Sequence, residues 1–479
     1  MNPLRLRLIR TAIAAIACAA IGASAAASAA AAPFLYVSNF GSDTITPFSA
    51  AENGALTALT PVAATGNNPL DSAATPDGRY LYVALNGPPD RVAAFAVAPD
   101  GVLAPVAGSP FPTGINPTSV AVSGDGGFLY VANFGTDTIS IYAIGSNGGL
   151  SAVGAPVPTG DGPWTLAFSP DGRFLYVPDL GASSVAAFAV GGDGTLAPLP
   201  GSPFATGTMP GEAAVAPDGA HLYVARRTGN AIEAFTIAAN GALSPVAGSP
   251  FAALSPRSLA FSAEGATLYS ASNGSNVVER FSVAGNGAIT ALPPATPAGG
   301  GPAALTVGFN GEVLYSANNS TDDVSAFTIG TGGTLAAVTG SPFLTGGDAP
   351  AARHNAFVDT DDGADFELAG KAKQKQKGKK VKVKVEVTAN EPLTATTTGR
   401  LKGKGLKNAK LRPVTSTLAD GETAKLTLKT KKKKAARKAI KRLRAGKKVK
   451  ALITTTGSDD IGNAEDRSLK VKLKAKRKR

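Results

Sequence analysis

The sequence predicts an all-β protein: a closed seven-bladed β-propeller followed by a separate, basic β-domain whose strand pattern suits an immunoglobulin-like sandwich. Three observations predict it. First, 56 Gly and 34 Pro in 479 residues, with abundant Val, Ala and Thr, suit many short strands punctuated by turns. Second, Leu-Tyr followed by Val or Ser recurs with its tyrosine at Tyr36, Tyr82, Tyr130, Tyr176, Tyr223, Tyr269 and Tyr315, a spacing of 46 to 48 residues. A unit of that size cannot bury its own apolar face and must stack on its neighbours. Third, each full repeat carries two tight-turn signals at fixed offsets. The first is Pro76-Asp77-Gly78 and its equivalents, the second Asp100-Gly101 and its equivalents, and such pairs favour short hairpins.

Taken in order, residues 1–32 read as an export signal. Arg5, Arg7 and Arg10 precede an apolar run from Thr11, and small residues around Ala27, Ser28 and Ala29 offer a cleavage site. Left uncut, the same run would anchor the chain in a membrane. The single cysteine, Cys18, lies inside it, so the exported part is expected to hold no disulfide. Residues 33–358 form the propeller, each unit running strand, turn, Leu-Tyr-Val strand, polar turn, third strand, turn, fourth strand. First strands open at Pro69, Pro117, Pro163, Pro210, Pro256 and Pro302. The first repeat lacks such a strand, and a seventh marker, Pro350, follows the last one. Residues Ala352 to Val358 are therefore expected to pair with Phe34 to Ser38 and close the ring without an open edge.

Charge divides the chain. All 28 lysines lie at or after Lys371, where 36 basic residues face 8 acidic ones, whereas the first 370 residues hold 11 arginines and 26 acidic residues. Residues 359–378 read as a linker and residues 379–479 as the basic β-domain. Val381, Val383, Val385 and Val387 alternate with charged residues, as a strand with one apolar face does. Further strands are expected near Leu393 to Leu401, Thr423 to Lys429, Val449 to Thr456 and Leu469 to Leu473, with one helix from about Lys432 to Ala445. The surplus from Lys371 to Arg479 is expected to attract cell-envelope polyanions. No Phe, Tyr or Trp follows Phe366, so base stacking lacks carriers and sequence-specific nucleic-acid binding is excluded.

The run Arg173 to Gly181, with the repeated Leu-Tyr-Val-Ala-Asn and Ser-Pro-Asp-Gly elements, resembles the seven-bladed lactonase family. That family includes propeller-type 6-phosphogluconolactonases and carboxymuconate lactonizing enzymes, and related YVTN surface propellers share the repeat. The resemblance covers Phe34 to Val358. It implies an active site at one channel mouth, where inner strands present His, Arg and Glu. Here the chain departs from the family: Gly162-Pro163-Trp164-Thr165 stands in place of a His-Pro-His-Gln run, Pro210-Gly211-Glu212 in place of Pro-Arg-His, Ser258 in place of Glu, and Pro302-Ala303 in place of Pro-Arg. Asp179 and Arg257 keep counterparts.

Candidate ligand-binding residues are those just after each marker proline: Asp71, Thr118, Ser119, Trp164, Thr165, Glu212, Arg257 and Ser258. Asp179 and His354 join them, His354 through its place on the closing strand. Trp164, the only tryptophan, together with Glu212 and Arg257 would form a polar pocket with an aromatic platform, as carbohydrate ligands prefer. His221 is expected to be an exposed strand-start residue. The acidic run Asp359 to Asp365 lacks the spacing of a calcium loop and is expected to be solvated linker. Neither cofactor nor metal is expected, and the chain is expected to be monomeric. With the family's reactive side chains missing, the expectation is an exported binding or surface-interaction module. The alternatives are a hydrolase of a sugar or related lactone, and a protein whose main task is polyanion binding.

Overall fold

The computed structural model describes residues 33–60, 63–346 and 355–358 of the propeller, side chains included, and strands of the region beyond residue 365. Seven sheets are present, one for each repeated tyrosine, numbered here as blades 1 to 7 in that order. In blade 3 the antiparallel order is Pro117–Val122, Phe128–Asn133, Thr138–Ile144, Leu150–Ala152. The fourth strand is split: a second piece, Val157–Pro158, also pairs with the third strand, and the other blades repeat this. The two turn signals of each repeat form as hairpins, with Gly101, Gly148, Gly194, Gly241 and Gly287 all at positive φ.

Closure follows the proline count. Ala356–Val358 pairs antiparallel with Phe34–Asn39 in the register Phe34 to Val358, Leu35 to Phe357 and Tyr36 to Ala356. Asn355 Oδ1 also accepts the Ser38 N–H at 3.3 Å. Pro350 and residues 352–354 lie outside the described residues.

The core is distributed between blades. Seven apolar clusters each join two neighbouring blades, as where Tyr82, Ala84, Val92 and Ala94 of blade 2 meet Val120, Leu129 and Val131 of blade 3. The repeated tyrosine ties six of the seven interfaces. Its hydroxyl donates to the carbonyl of the turn glycine in the following blade: Tyr36 to Gly101, Tyr82 to Gly148, Tyr130 to Gly194, Tyr176 to Gly241, Tyr223 to Gly287 and Tyr269 to Gly333, at 2.8 to 3.1 Å. A glycine is needed there because the residue two before each tyrosine packs directly on it, Phe174 on Gly241 for example. His221 occupies this packing position on Gly287, so it is buried rather than exposed, with Nδ1 3.9 Å from Asp218.

The propeller unit spans Ala31–Asp359. Beyond it, strands include Lys382–Ala389, Leu393–Lys402, Thr423–Lys429, Val449–Asp459 and Ala464–Ala475, in a three-stranded and a six-stranded sheet. The acidic run Asp359 to Asp365 and the helix expected from Lys432 to Ala445 lie outside the described residues.

Candidate functional site at the mouth of blades 4 to 6

In blades 2, 3, 5, 6 and 7 the inner strand starts at its marker proline, and there the pairing slips by one residue. Pro69 pairs with Leu85 but Asp71 with Ala84, and the same shift follows Pro117, Pro210, Pro256 and Pro302. A bulge of this kind re-aims the side chain it carries. It separates residues that the sequence placed together. The second residue after each proline turns between blades, where Asp71, Ser119, Thr165, Glu212 and Ser258 are all buried. The first residue keeps access to the mouth at Trp164 and Arg257, both half-buried.

The buried residues form a belt of ties between inner strands. Val120 N–H donates to Asp71 Oδ2 (3.0 Å), Thr118 Oγ1 to the Pro163 carbonyl (2.9 Å), and Ala213 N–H to Thr165 Oγ1 (3.3 Å). Leu259 N–H and Ser258 Oγ donate to Glu212 Oε1 at 2.9 and 3.0 Å, and Leu305 N–H donates to Ser258 Oγ at 3.0 Å. Thr306 Oγ1 donates to the Asn355 carbonyl at 3.0 Å, and Ala356 N–H to Ser72 Oγ at 3.1 Å, which completes the circuit. Asp71 thus sits in blade 2 as a tie to blade 3, its Oδ1 also taking the Ser72 N–H.

At the mouth, blades 4 to 6 converge through a residue the sequence analysis missed. Arg227 lies in the turn after the second strand of blade 5. Its guanidinium carbon is 4.4 Å from the Trp164 ring centroid, a cation–π stack, while Phe134 meets the same ring edge-on at 5.8 Å. Burial and the neighbouring positive charge of Arg257 lower the Arg227 pKa to about 10. Burial also lowers that of Arg257, opposed by the attraction of Glu212. Stacking thus links Arg227 to Trp164, and electrostatic interaction links Arg227 to Arg257 and Arg257 to Glu212. Gly211 makes room for Arg227: an added Cβ would stand 2.8 Å from Arg227 Cγ. The missed signal is an offset. Arg227 stands four residues after its tyrosine, as do Asn86, Phe134 and Asn273, which meet the next blade near its marker proline, Asn86 Nδ2 donating to the Pro117 carbonyl at 3.0 Å, whereas Arg227 reaches back to Trp164.

Asp179 stands behind the loop that carries Trp164, fully buried, and burial raises its pKa to about 7. His354 lies outside the described residues. No cluster suited to a metal ion occurs among the described residues. A groove of about 220 Å³ between blades 4 and 5 lies at the hairpin-turn face, away from this group. Its Arg173 is already paired with Asp171 at 2.6 Å, so the mouth remains the better candidate.

The model of the seven-bladed β-propeller lactonases matches residues 5–110 and 114–293. The chain belongs to the seven-bladed β-propeller lactonase family. Among solved structures it is similar to a candidate 6-phosphogluconolactonase of Bacteroides fragilis, at 22% identity over 70% of this chain and 99% of that one, TM-score 0.60. A candidate 6-phosphogluconolactonase of Bacteroides uniformis follows at 19% identity, 68% and 100% coverage, TM-score 0.61. The periplasmic gluconolactonase of Pseudomonas aeruginosa shows 20% identity, 68% and 99% coverage, TM-score 0.56. At these identities the likeness is one of fold. A comparison with curated proteins finds no match. The lactonase propeller expected from the repeat is thus present, with a mouth of its own composition.

Proposed function

We propose that this lactonase-family propeller hydrolyses an anionic sugar-type lactone at the mouth of blades 4 to 6, the reading given above as the alternative. The observation that carries it is Arg227 stacked at 4.4 Å on the Trp164 ring, with the half-buried Arg257 near enough for its charge to act on Arg227. Two cations brought together in a partly desolvated site are stabilised by an anion between them. Trp164 supports the apolar face of a sugar ring, and Glu212, tied to Ser258 and Leu259, positions Arg257. Water adds to the lactone carbonyl, the arginines stabilise the oxyanion, and the ring C–O bond breaks to leave the hydroxy acid, whose carboxylate the same arginines bind.

The test is acid release from a panel of neutral and anionic lactones by the full chain, followed by pH-stat. Turnover of an anionic lactone, with kcat/KM down about 100-fold or more in Arg257→Leu and in Arg227→Leu, is expected. Turnover unaffected by both changes overturns the proposal. Binding of a sugar acid without turnover of any lactone returns the protein to the role of an exported binding module.

We also propose that the basic segment from Lys371 to Arg479, of which residues 379–479 are read as an immunoglobulin-like domain, holds the protein at envelope polyanions after export. Retention on a heparin column that weakens with salt and disappears on deleting this segment is expected. Equal retention of the truncated chain contradicts it.

A further inference from the structure

The repeated units set Asp179 apart. Three residues after the repeated tyrosine, blades 1, 3 and 7 carry Asn39, Asn133 and Asn318. In each the amide nitrogen donates to the third strand: Asn39 to Thr44 and Thr46 at 3.0 and 2.8 Å, Asn133 to Thr138 and Ser140 at 3.3 and 2.9 Å, Asn318 to Asp323 and Ser325 at 2.6 and 2.9 Å. Asn133 Oδ1 also accepts the Gly114 N–H of the loop that leads to the inner strand, at 3.1 Å. The niche uses a donor in all three blades, which an amide or a protonated acid supplies and an ionised carboxylate does not.

Blade 4 places Asp179 in this niche. It is fully buried, and neither carboxyl oxygen has a partner at hydrogen-bonding geometry among the described residues. The Ser184 hydroxyl, which replaces Thr138, is likewise without a partner among the described residues. The N–H groups of Gly160 and Ala186 face the carboxyl, and the charged neighbours are acidic: Asp137 from the preceding blade, and Asp161 on the packed loop, its carboxylate against Gly181. The same loop carries the aromatic platform. Leu180 N–H donates to the Gly162 carbonyl (2.9 Å), Trp164 N–H to the Pro178 carbonyl (2.8 Å), and Pro163 and Asp179 form a lone bridge where other blades have a regular strand. Gly160 lies directly on the Asp179 carboxyl, with no room for a Cβ.

We propose that Asp179 is a protonation latch, a positioning residue that holds the loop from Gly160 to Trp164 in place when its carboxyl carries a proton and releases it when ionised. The protonated acid has a donor for Ser184 and an acceptor for Gly160, the pattern that Asn133 supplies in blade 3. Ionisation buries a charge under the loop beside Asp137, which the N–H groups of Gly160 and Ala186 and the Ser184 hydroxyl offset only in part, and lifting the loop hydrates it. The pKa raised to about 7 by burial puts the change near neutral pH. The consequence for ligand capture rests on the reading of the mouth given above; the motion of the loop does not.

Trp164 is the only tryptophan in the chain, so its fluorescence reports this loop directly. The full chain without ligand, titrated from pH 5 to 9, is expected to show a sigmoidal change with its midpoint near pH 7. Asp179→Asn is expected to be flat and to hold the low-pH signal, while His221→Gln and His354→Gln retain the transition. A flat titration of the unaltered chain, or a transition that survives Asp179→Asn, overturns the latch. In a second arm, gluconate affinity is measured across the same range and is expected to lose its change around pH 7 in Asp179→Asn. A fluorescence transition that Asp179→Asn removes supports the latch even where gluconate fails to bind; that failure counts against the mouth as the ligand site.

Discussion

Gly211 fills the bulge position where neighbouring inner strands carry Trp164 and Arg257, and it does so without positive φ. Alanine there suffers no backbone strain, yet its methyl group would meet Arg227 Cγ at 2.8 Å and the Ala225 carbonyl at 3.2 Å. Gly211→Ala is therefore expected to displace the guanidinium from Trp164 and raise KM for the lactone about 10-fold or more, with a Tm close to that of the unaltered chain. Steady-state kinetics and calorimetry check both parts. Asp179 makes a prediction of opposite sign for stability. Its folded pKa of about 7 lies above the ordinary carboxylate value, so the folded state binds the extra proton. Stability is then fully present at low pH, falls as pH rises from about 4 towards 7, and is constant beyond. Asparagine removes that loss, and denaturation at pH 8 is expected to show Asp179→Asn more stable by roughly 1–4 kcal/mol, at about 1.4 kcal/mol per unit of pKa.

Among the elements, the tyrosine-to-glycine ties explain why the Leu-Tyr-Val strand and the second turn recur together. Removing the hydroxyl from Tyr176 leaves the Gly241 carbonyl without its donor, and Tyr176→Phe is expected to cost about 1–2 kcal/mol by chemical denaturation. Tyr315 is the natural control. Its hydroxyl has no partner among the described residues, and its ring stacks on Phe357 at 5.9 Å, so Tyr315→Phe is expected to be neutral or stabilising. Blades, hairpins and closure were legible because period, glycine turns and marker prolines are local signals. The site was legible only in part. Trp164, Glu212 and Arg257 emerged from counting after the prolines, but the one-residue bulge that sends Glu212 between blades and Arg257 to the mouth depends on pairing with the second strand. Arg227 was hidden because its turn reads as ordinary polar punctuation, and its neighbours lie in blades 4 and 6. His221 was misjudged because its burial comes from the Gly287 turn of another repeat.

Over the whole molecule, one strand from the far end of the propeller seals the ring. Phe357 pairs with Leu35 and packs on Tyr315 and on Phe309 at 5.3 Å, joining blades 7 and 1. Phe357→Ala is expected to destabilise the propeller by about 1–2 kcal/mol, read by thermal unfolding, because this half-buried ring's packing on Tyr315 and Phe309 at the seam is lost. The same closed belt holds the inner strands of blades 4, 5 and 6 in fixed relation, so the arginine pair is preorganised by ties that involve the full ring. The most direct test of the account is a titration of Trp164 fluorescence with gluconate at constant pH and low salt. A saturable change that disappears in both Arg227→Leu and Arg257→Leu is predicted. Binding that leaves Trp164 fluorescence unchanged, or that survives both substitutions, contradicts the placement of the site at this mouth.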